Sequence, residues 1–233
     1  MQFTIILTVI LAVGQCLAQD HPWDSKARTD QGWIDRHNKL IQQTVQHKSD
    51  EHIIFVGDSI TQFWENAGRA TWDKYYAPRH AYNYGISGDR TENVIYRIRD
   101  KEFDGLHPKV AVLMIGTNNI GNNPKSTVED TVHGIKEVLT ELTAKLPDTK
   151  FILTSNMPRT EPLGSLCKQV NELIVKFADN KTVFYQDLWT PYVFPNGTQK
   201  VELFADGLHP NEKGFEVWQQ SMAPLLDKLD PAH

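Results

Sequence analysis

Gly57-Asp58-Ser59-Ile60-Thr61 follows directly on the apolar run Ile53-Ile54-Phe55-Val56. A serine where a strand turns toward a helix can present its hydroxyl for nucleophilic attack, provided a neighbouring base takes its proton. Alone, Ser59 equally suits a helix N-cap. Its company changes the reading. The weaker apolar run at 81–84 leads into Gly85 and Gly88 of Asn83-Tyr84-Gly85-Ile86-Ser87-Gly88-Asp89, and Val110-Ala111-Val112-Leu113-Met114-Ile115 leads into Gly116-Thr117-Asn118-Asn119. Gly88 offers a backbone N–H with no side chain in the way, and Asn118 offers a side-chain amide. With the N–H of Ser59 itself these make three donors for a developing oxyanion, each of a kind whose loss costs about 10²–10³ in rate.

Neutral-pH chemistry at Ser59 calls for a histidine base. Asp-Gly-Leu-His-Pro occurs twice, at 104–108 and 206–210, so the motif alone does not choose. Topology does. His107 precedes the third strand and belongs at the amino edge of a sheet, one strand length of about 17–20 Å from Ser59. His209 follows the last strand and opens the final helix, which returns it to the carboxyl edge. Asp206, three residues earlier, is placed to orient its imidazole and stabilise the charged form; a turn or capping aspartate is the alternative.

The elements that must position these residues alternate along the chain. Continuous apolar strands are expected at 53–56, 81–84, 110–115, 151–154 and 183–185, the signature of a sheet covered on both faces. Between them apolar residues recur at three- and four-residue spacing: Val94, Ile95 and Ile98; Val128, Val132, Ile135, Leu139, Leu142 and Leu146; Leu166, Val170, Leu173 and Phe177; Phe215, Trp218, Met222 and Leu225. Ser126 or Asn123 is the expected cap of the second of these helices. A further helix is read at 33–45. Such alternation predicts a parallel sheet with helices on both faces, joined by right-handed crossovers, with ligands bound outside the carboxyl ends of the strands.

The chain has 233 residues, 40% hydrophobic and 23% charged, with a net charge of −5. That balance excludes a basic nucleic-acid surface and a polybasic membrane patch. The apolar stretch at 4–13 is too short to span a bilayer, which takes about 20 residues, and with Gly14-Gln15-Cys16-Leu17-Ala18 it has the form of a secretory leader cut after Ala18. The rest, 19–233, reads as one domain with no transmembrane segment. Cys167 is then the one remaining cysteine, and a core of this size holds without a disulfide. Asn180-Lys-Thr182 and Asn196-Gly-Thr198 are glycosylation candidates in a secreted chain.

Gly57-Asp58-Ser59, Gly88, Gly116-Thr117-Asn118 and the 206–209 segment resemble, in order and spacing, the four blocks of the SGNH (GDSL-like) hydrolases. The resemblance covers nearly the whole expected mature chain and is most specific to the platelet-activating-factor acetylhydrolase branch. Related secreted esterases are similar also at Trp33 and Arg36-His37. It implies a flavodoxin-like three-layer α/β/α fold with a five-stranded parallel sheet. It also implies ester hydrolysis without metal or cofactor on a small ester substrate, an acetyl ester of a phospholipid or a glycan. Ser59 would be nucleophile and oxyanion donor, Gly88 and Asn118 further donors, and Asp206 and His209 the rest of a triad. The chain lacks the Gly-x-Ser-x-Gly elbow of α/β-hydrolase lipases. A carbohydrate O-acetylesterase would share the machinery and differ in its pocket, where Trp64, Tyr84, Trp189 and Tyr192 are candidates to stack on sugars. A non-catalytic secreted binding protein and an acyltransferase are the remaining alternatives. Arg90 and Arg97 are read either as receptors for an anionic substrate group or as paired helix charges.

Overall fold

The computed structural model describes residues 21–50, 52–122 and 126–231. The expected leader with its cut after Ala18, and Asn123 as a cap, lie outside the described residues. Five parallel strands, β1 (Ile53–Gly57), β2 (Ala81–Gly85), β3 (Val110–Met114), β4 (Lys150–Thr154) and β5 (Val183–Gln186), pair in the order β2-β1-β3-β4-β5. This is the flavodoxin-like order, in which the chain runs one way from β1 to β2 and then reverses to β3 on the other side. All residues of β1 and β3 are buried, which is why these strands read as unbroken apolar runs. Gly57 is level with Gly85 on one side and with Met114 on the other, so the segments after three strands leave the sheet at the same edge.

One face is covered by α1 (Gln31–His47), α4 (Thr91–Arg99), α6 (Val128–Lys145) and α7 (Leu163–Ile174). They pack Trp33, Leu40, Ile95, Leu142 and Val170 against Ile54, Val56, Ala111 and Leu153. The other face is covered by α3 (Arg69–Tyr75) and α8 (Glu212–Leu229), with Trp64 and Tyr76 from the turns beside α3. Here Phe215, Trp218 and Met222 meet Phe55, Val112 and Ile152. Full burial of one such side chain stabilises by about 1.5–3 kcal/mol, so the aromatic-rich layer under α8 is a large share of the core. Two short helices, α2 (Ser59–Gln62) and α5 (Thr117–Asn122), begin right after β1 and β3.

The structure differs from the sequence reading at one cap. Thr127, not Ser126, caps α6: its hydroxyl accepts from the Asp130 N–H while the Asp130 carboxylate accepts from the Thr127 N–H. The reciprocal pair satisfies two end donors, which a serine one residue earlier is not in register to do.

Candidate active site

Asp58 ends β1's turn and caps α2, its Oδ1 accepting the Ile60 N–H at 2.9 Å. Ser59 is therefore the first residue of that helix and not its cap, which leaves its hydroxyl available to other partners. That hydroxyl lies 2.9 Å from His209 Nε2, and His209 Nδ1 lies 2.7 Å from Asp206 Oδ2. The 206–209 turn is self-braced. Asp206 Oδ1 accepts the N–H groups of Leu208 at 3.0 Å and His209 at 2.8 Å, and Gly207 supplies the left-handed backbone (φ +80°). Partial burial pushes the Asp206 carboxyl up. The His209 N–H and ring and the Leu208 N–H outweigh that and hold it at about 2. An ionised carboxylate only accepts, so the imidazole proton sits on Nδ1, and Nε2 is left to accept from the serine O–H. Phe63 stacks on the His209 ring at 4.7 Å and 26°.

Gly88 and Asn118 reach the same edge. Gly88 has φ +81°, a backbone that side chains disfavour, and an added Cβ would lie 2.8 Å from Arg28 Nη1. Its turn is held by Gln62, whose side chain accepts the Ser87 N–H at 2.7 Å, and by Arg28, which donates to Ser87 O at 2.7 Å. Asn118 donates from Nδ2 to Asp89 O at 2.9 Å, tying the segment after β3 to the segment after β2. Among the described residues, neither the Ser59 N–H nor the Gly88 N–H donates to another protein atom.

Beneath this turn lies a buried ionic network. Asp89 accepts from Trp33 Nε1 and from Arg97 Nη1, each at 2.7 Å. Arg97 also donates to Glu102 and to Tyr84 O, and Glu102 accepts from His37 Nδ1 at 2.5 Å. Arg97, Asp89 and Glu102 have no exposed surface. Burial pushes Asp89 up to about 6 against the pull of Arg97 and Trp33. Arg36 donates to Gly85 O at 3.2 Å. The three α1 residues singled out in the sequence, Trp33, Arg36 and His37, thus converge on the support of the Gly88 turn.

His107 is exposed before β3, at the amino edge as expected. Arg97 is internal and Arg90 pairs with Glu92 at 2.7 Å, so both are paired charges and not anion receptors. Trp64, Tyr84 and Tyr192 are fully buried in the core, which removes them as sugar platforms; Trp189 is partly exposed and lines a cleft with Arg159 and Gln199. Asn180 and Asn196 are exposed.

Sequence reasoning passed over Phe63, Gln62, Arg28 and Arg159. Phe63 and Gln62 sit four and three residues after Ser59, on the helical turn that presents it, and that spacing was the available signal. Arg28 and Arg159 carry no local signal. Arg159 reaches the site by donating to Thr117 O at 3.0 Å across 42 residues of chain.

Residues 55–217 match the GDSL-like lipase/acylhydrolase family. The chain is 32% identical over 204 residues to platelet-activating factor acetylhydrolase IB subunit alpha2 of Homo sapiens, covering 86% of each protein. It is 28% identical to subunit alpha1 of the same organism, covering 86% of this chain and 85% of the relative. Among solved structures, a GDSL-like lipase from Bacteroides thetaiotaomicron superposes with a TM-score of 0.68 at 19% identity, over 83% of this chain and 98% of that one. A carbohydrate esterase family 3 protein from Talaromyces cellulolyticus superposes with a TM-score of 0.56 at 16% identity, over 78% and 100%. These two establish likeness of fold. The match across most of the chain, on the strand order and carboxyl-edge turns described above, makes this protein a member of the GDSL-like (SGNH) lipase/acylhydrolase family.

Proposed function

We propose that the protein is a secreted serine esterase acting on short-acyl carboxylic esters through an acyl-enzyme, with Ser59, His209 and Asp206 as its triad. The observation that carries this is the hydrogen-bond chain Ser59 Oγ to His209 Nε2 to Asp206, at 2.9 and 2.7 Å, at the switch point of the sheet. His209 Nε2 takes the Ser59 proton as Oγ bonds to the ester carbonyl carbon, and the oxyanion is met by the Ser59 and Gly88 N–H groups with Asn118 beside them. The C–O bond to the alcohol then breaks, and the alcohol leaves with the proton from His209. Water, deprotonated by the same nitrogen, attacks the acyl-serine and releases the acid. Asp206 holds the imidazole in the tautomer this requires. A short acyl group is supported by relatives whose name is acetylhydrolase. The intact nucleophile–base contact weighs against a non-catalytic binding protein.

The test is turnover of p-nitrophenyl acetate, butyrate and octanoate by the purified protein and by Ser59→Ala. Serine-dependent cleavage biased to acetate is expected, with Ser59→Ala slower by about a thousandfold or more. Full activity of a folded Ser59→Ala variant overturns the assignment. Secretion rests on the 1–18 pattern, and glycosylation on the exposure of Asn180 and Asn196. Export with Gln19 as the new amino terminus, and a mass shift lost in Asn180→Gln and Asn196→Gln, are expected; retention inside the cell overturns the leader.

A further inference from the structure

A cleft of about 470 Å³ opens beside the 206–209 turn, within the range of about 300–1,000 Å³ typical of small-molecule sites. It is lined by Arg159, Thr160, Glu161, Trp189, Asn196 and Gln199, among others. Its two ends are fixed to the catalytic edge. At one end Gln199 Nε2 donates to both Pro158 O and Gly207 O at 2.9 Å, joining the cleft wall to the 206–209 turn. At the other, Arg159 Nη1 donates to Thr117 O at 3.0 Å, next to Asn118. Its walls thus touch the turn that carries His209 and the segment that carries Asn118.

Among the described residues, Arg159 is the one cation lining this cleft and Glu161 the one carboxylate. Arg159 is partly buried, and among the described residues no carboxylate lies within ion-pairing distance of it. The nearest acidic side chain on the wall, Glu161, is committed elsewhere: its Oε2 accepts the Ser165 N–H at the start of α7. Burial raises the Asp58 carboxyl and the Arg159 charge only partly opposes it, and the two form no ion pair. A guanidinium held through Nη1 by the carbonyl and the hydroxyl of Thr117 keeps the Nε and Nη2 donors of its planar fork for a ligand, and that fork matches a carboxylate or phosphate. The rest of the lining combines the hydroxyl and amide groups of Thr160, Asn196, Thr198 and Gln199 with Pro158 and Val201, and among the described residues Trp189 is its single aromatic side chain.

We infer that this cleft binds the alcohol portion of the substrate ester as a sugar bearing an anionic group, a carboxylate or a phosphate, with Arg159 holding the anion and Trp189 the ring. This rests on the serine-esterase reading above and names the substrate class of that same site. Trp189 supplies stacking common to neutral and acidic sugars, whereas Arg159 discriminates between them.

The experiment compares mono-O-acetylated glucuronic acid, glucose 6-phosphate and glucose as substrates of the purified protein. Turnover per molar substrate on the two acidic esters is expected to exceed that on the neutral one by tenfold or more, on the order of what charge-assisted hydrogen bonds give. Arg159→Met should bring that ratio near one and Arg159→Lys should restore part of it; the ratio is read because it cancels any general loss of activity. The glucuronate and 6-phosphate arms tell the two anion chemistries apart. A ratio near one in the unaltered protein, or a ratio unchanged in Arg159→Met, overturns the inference while leaving serine-dependent cleavage of p-nitrophenyl acetate standing. A second readout needs no turnover: saturation-transfer NMR of glucuronic acid and glucose on the folded Ser59→Ala protein. Contact with glucuronic acid that is lost in the added Arg159→Met change supports the cleft assignment, and equal signals for the two sugars refute it.

Discussion

Asp58 caps the helix that presents Ser59, and it does so from a position with no exposed surface. Burial pushes its carboxyl from 3.8 up to about 7, with the Ile60 N–H and the Arg159 charge pulling the other way. Oδ1 is engaged by Ile60, whereas Oδ2 has no partner among the described residues. Asp58→Asn retains the capping oxygen and removes the charge, placing an amide nitrogen where an oxygen already lacks a partner. The sign follows from the raised value. The native state binds the Asp58 proton more tightly than the unfolded chain, so this group disfavours the fold increasingly as pH rises from the unfolded value through about 7. The penalty grows from under about 2 kcal/mol at pH 5 to about 4 kcal/mol at pH 8. The asparagine variant should therefore gain about 3 kcal/mol on the parent between those pH values, a widening of roughly 6–12 °C in melting temperature for a chain of this length. Paired thermal or denaturant unfolding curves at pH 5, 6, 7 and 8 measure it. An offset between the two proteins that does not change with pH would show that Asp58 is solvated or paired in the fold, and would refute the reasoning.

Arg97→Met should cost about 3–5 kcal/mol, because it removes the buried cation that Asp89 and Glu102 share. An unfolding midpoint equal to that of the parent would mean the network is not ionic. Phe63→Ala removes a stack of about 0.5–1.5 kcal/mol from the His209 ring and should lower kcat about tenfold or less with KM little changed; unaltered kcat would show that Asp206 alone holds the imidazole. Gly88→Ala forces a side chain onto φ +81° and against Arg28. It should cost about 1–2 kcal/mol in stability and lower kcat, and a fully active, equally stable variant would dismiss Gly88 as a donor.

Much of this fold was legible because burial on both faces writes itself as uninterrupted apolar strands. β1 and β3 lie at the middle of the sheet and were the plainest; β5 at the edge is only partly covered past Val183 and was read as a short run. The choice between two identical Asp-Gly-Leu-His-Pro segments needed only the direction of the chain through a parallel sheet, and the structure puts His107 before β3 and His209 before α8 accordingly. What the sequence hid were facts about direction. Trp64 lies five residues after Ser59 and looks like a pocket aromatic, but one further helical turn swings it under Phe215 and Trp218. Arg97 sits among Val94, Ile95 and Ile98 on a helix buried nearly all round, so its charge gave no hint of facing Asp89 and Glu102 inside. Arg159 is one of many loop cations until its distance to Thr117 is known.

The proposed nucleophile, Ser59, and the proposed base, His209, are supported in different ways, and this follows from where each lies in the chain. Ser59 is fixed by a strand at the centre of the sheet and by a capped helix turn. Asp206 and His209 share one turn, so the base and the carboxylate that orients it keep their 2.7 Å contact whether or not that turn shifts against the sheet. Docking of the turn onto Ser59 depends on contacts across the chain: Phe63 against the His209 ring, the Ser59 hydroxyl, and Gln199 bridging Pro158 O and Gly207 O. Gln199 is also a wall of the Arg159 cleft. Gln199 therefore belongs both to the cleft wall and to the contacts that hold the His209 turn against the sheet.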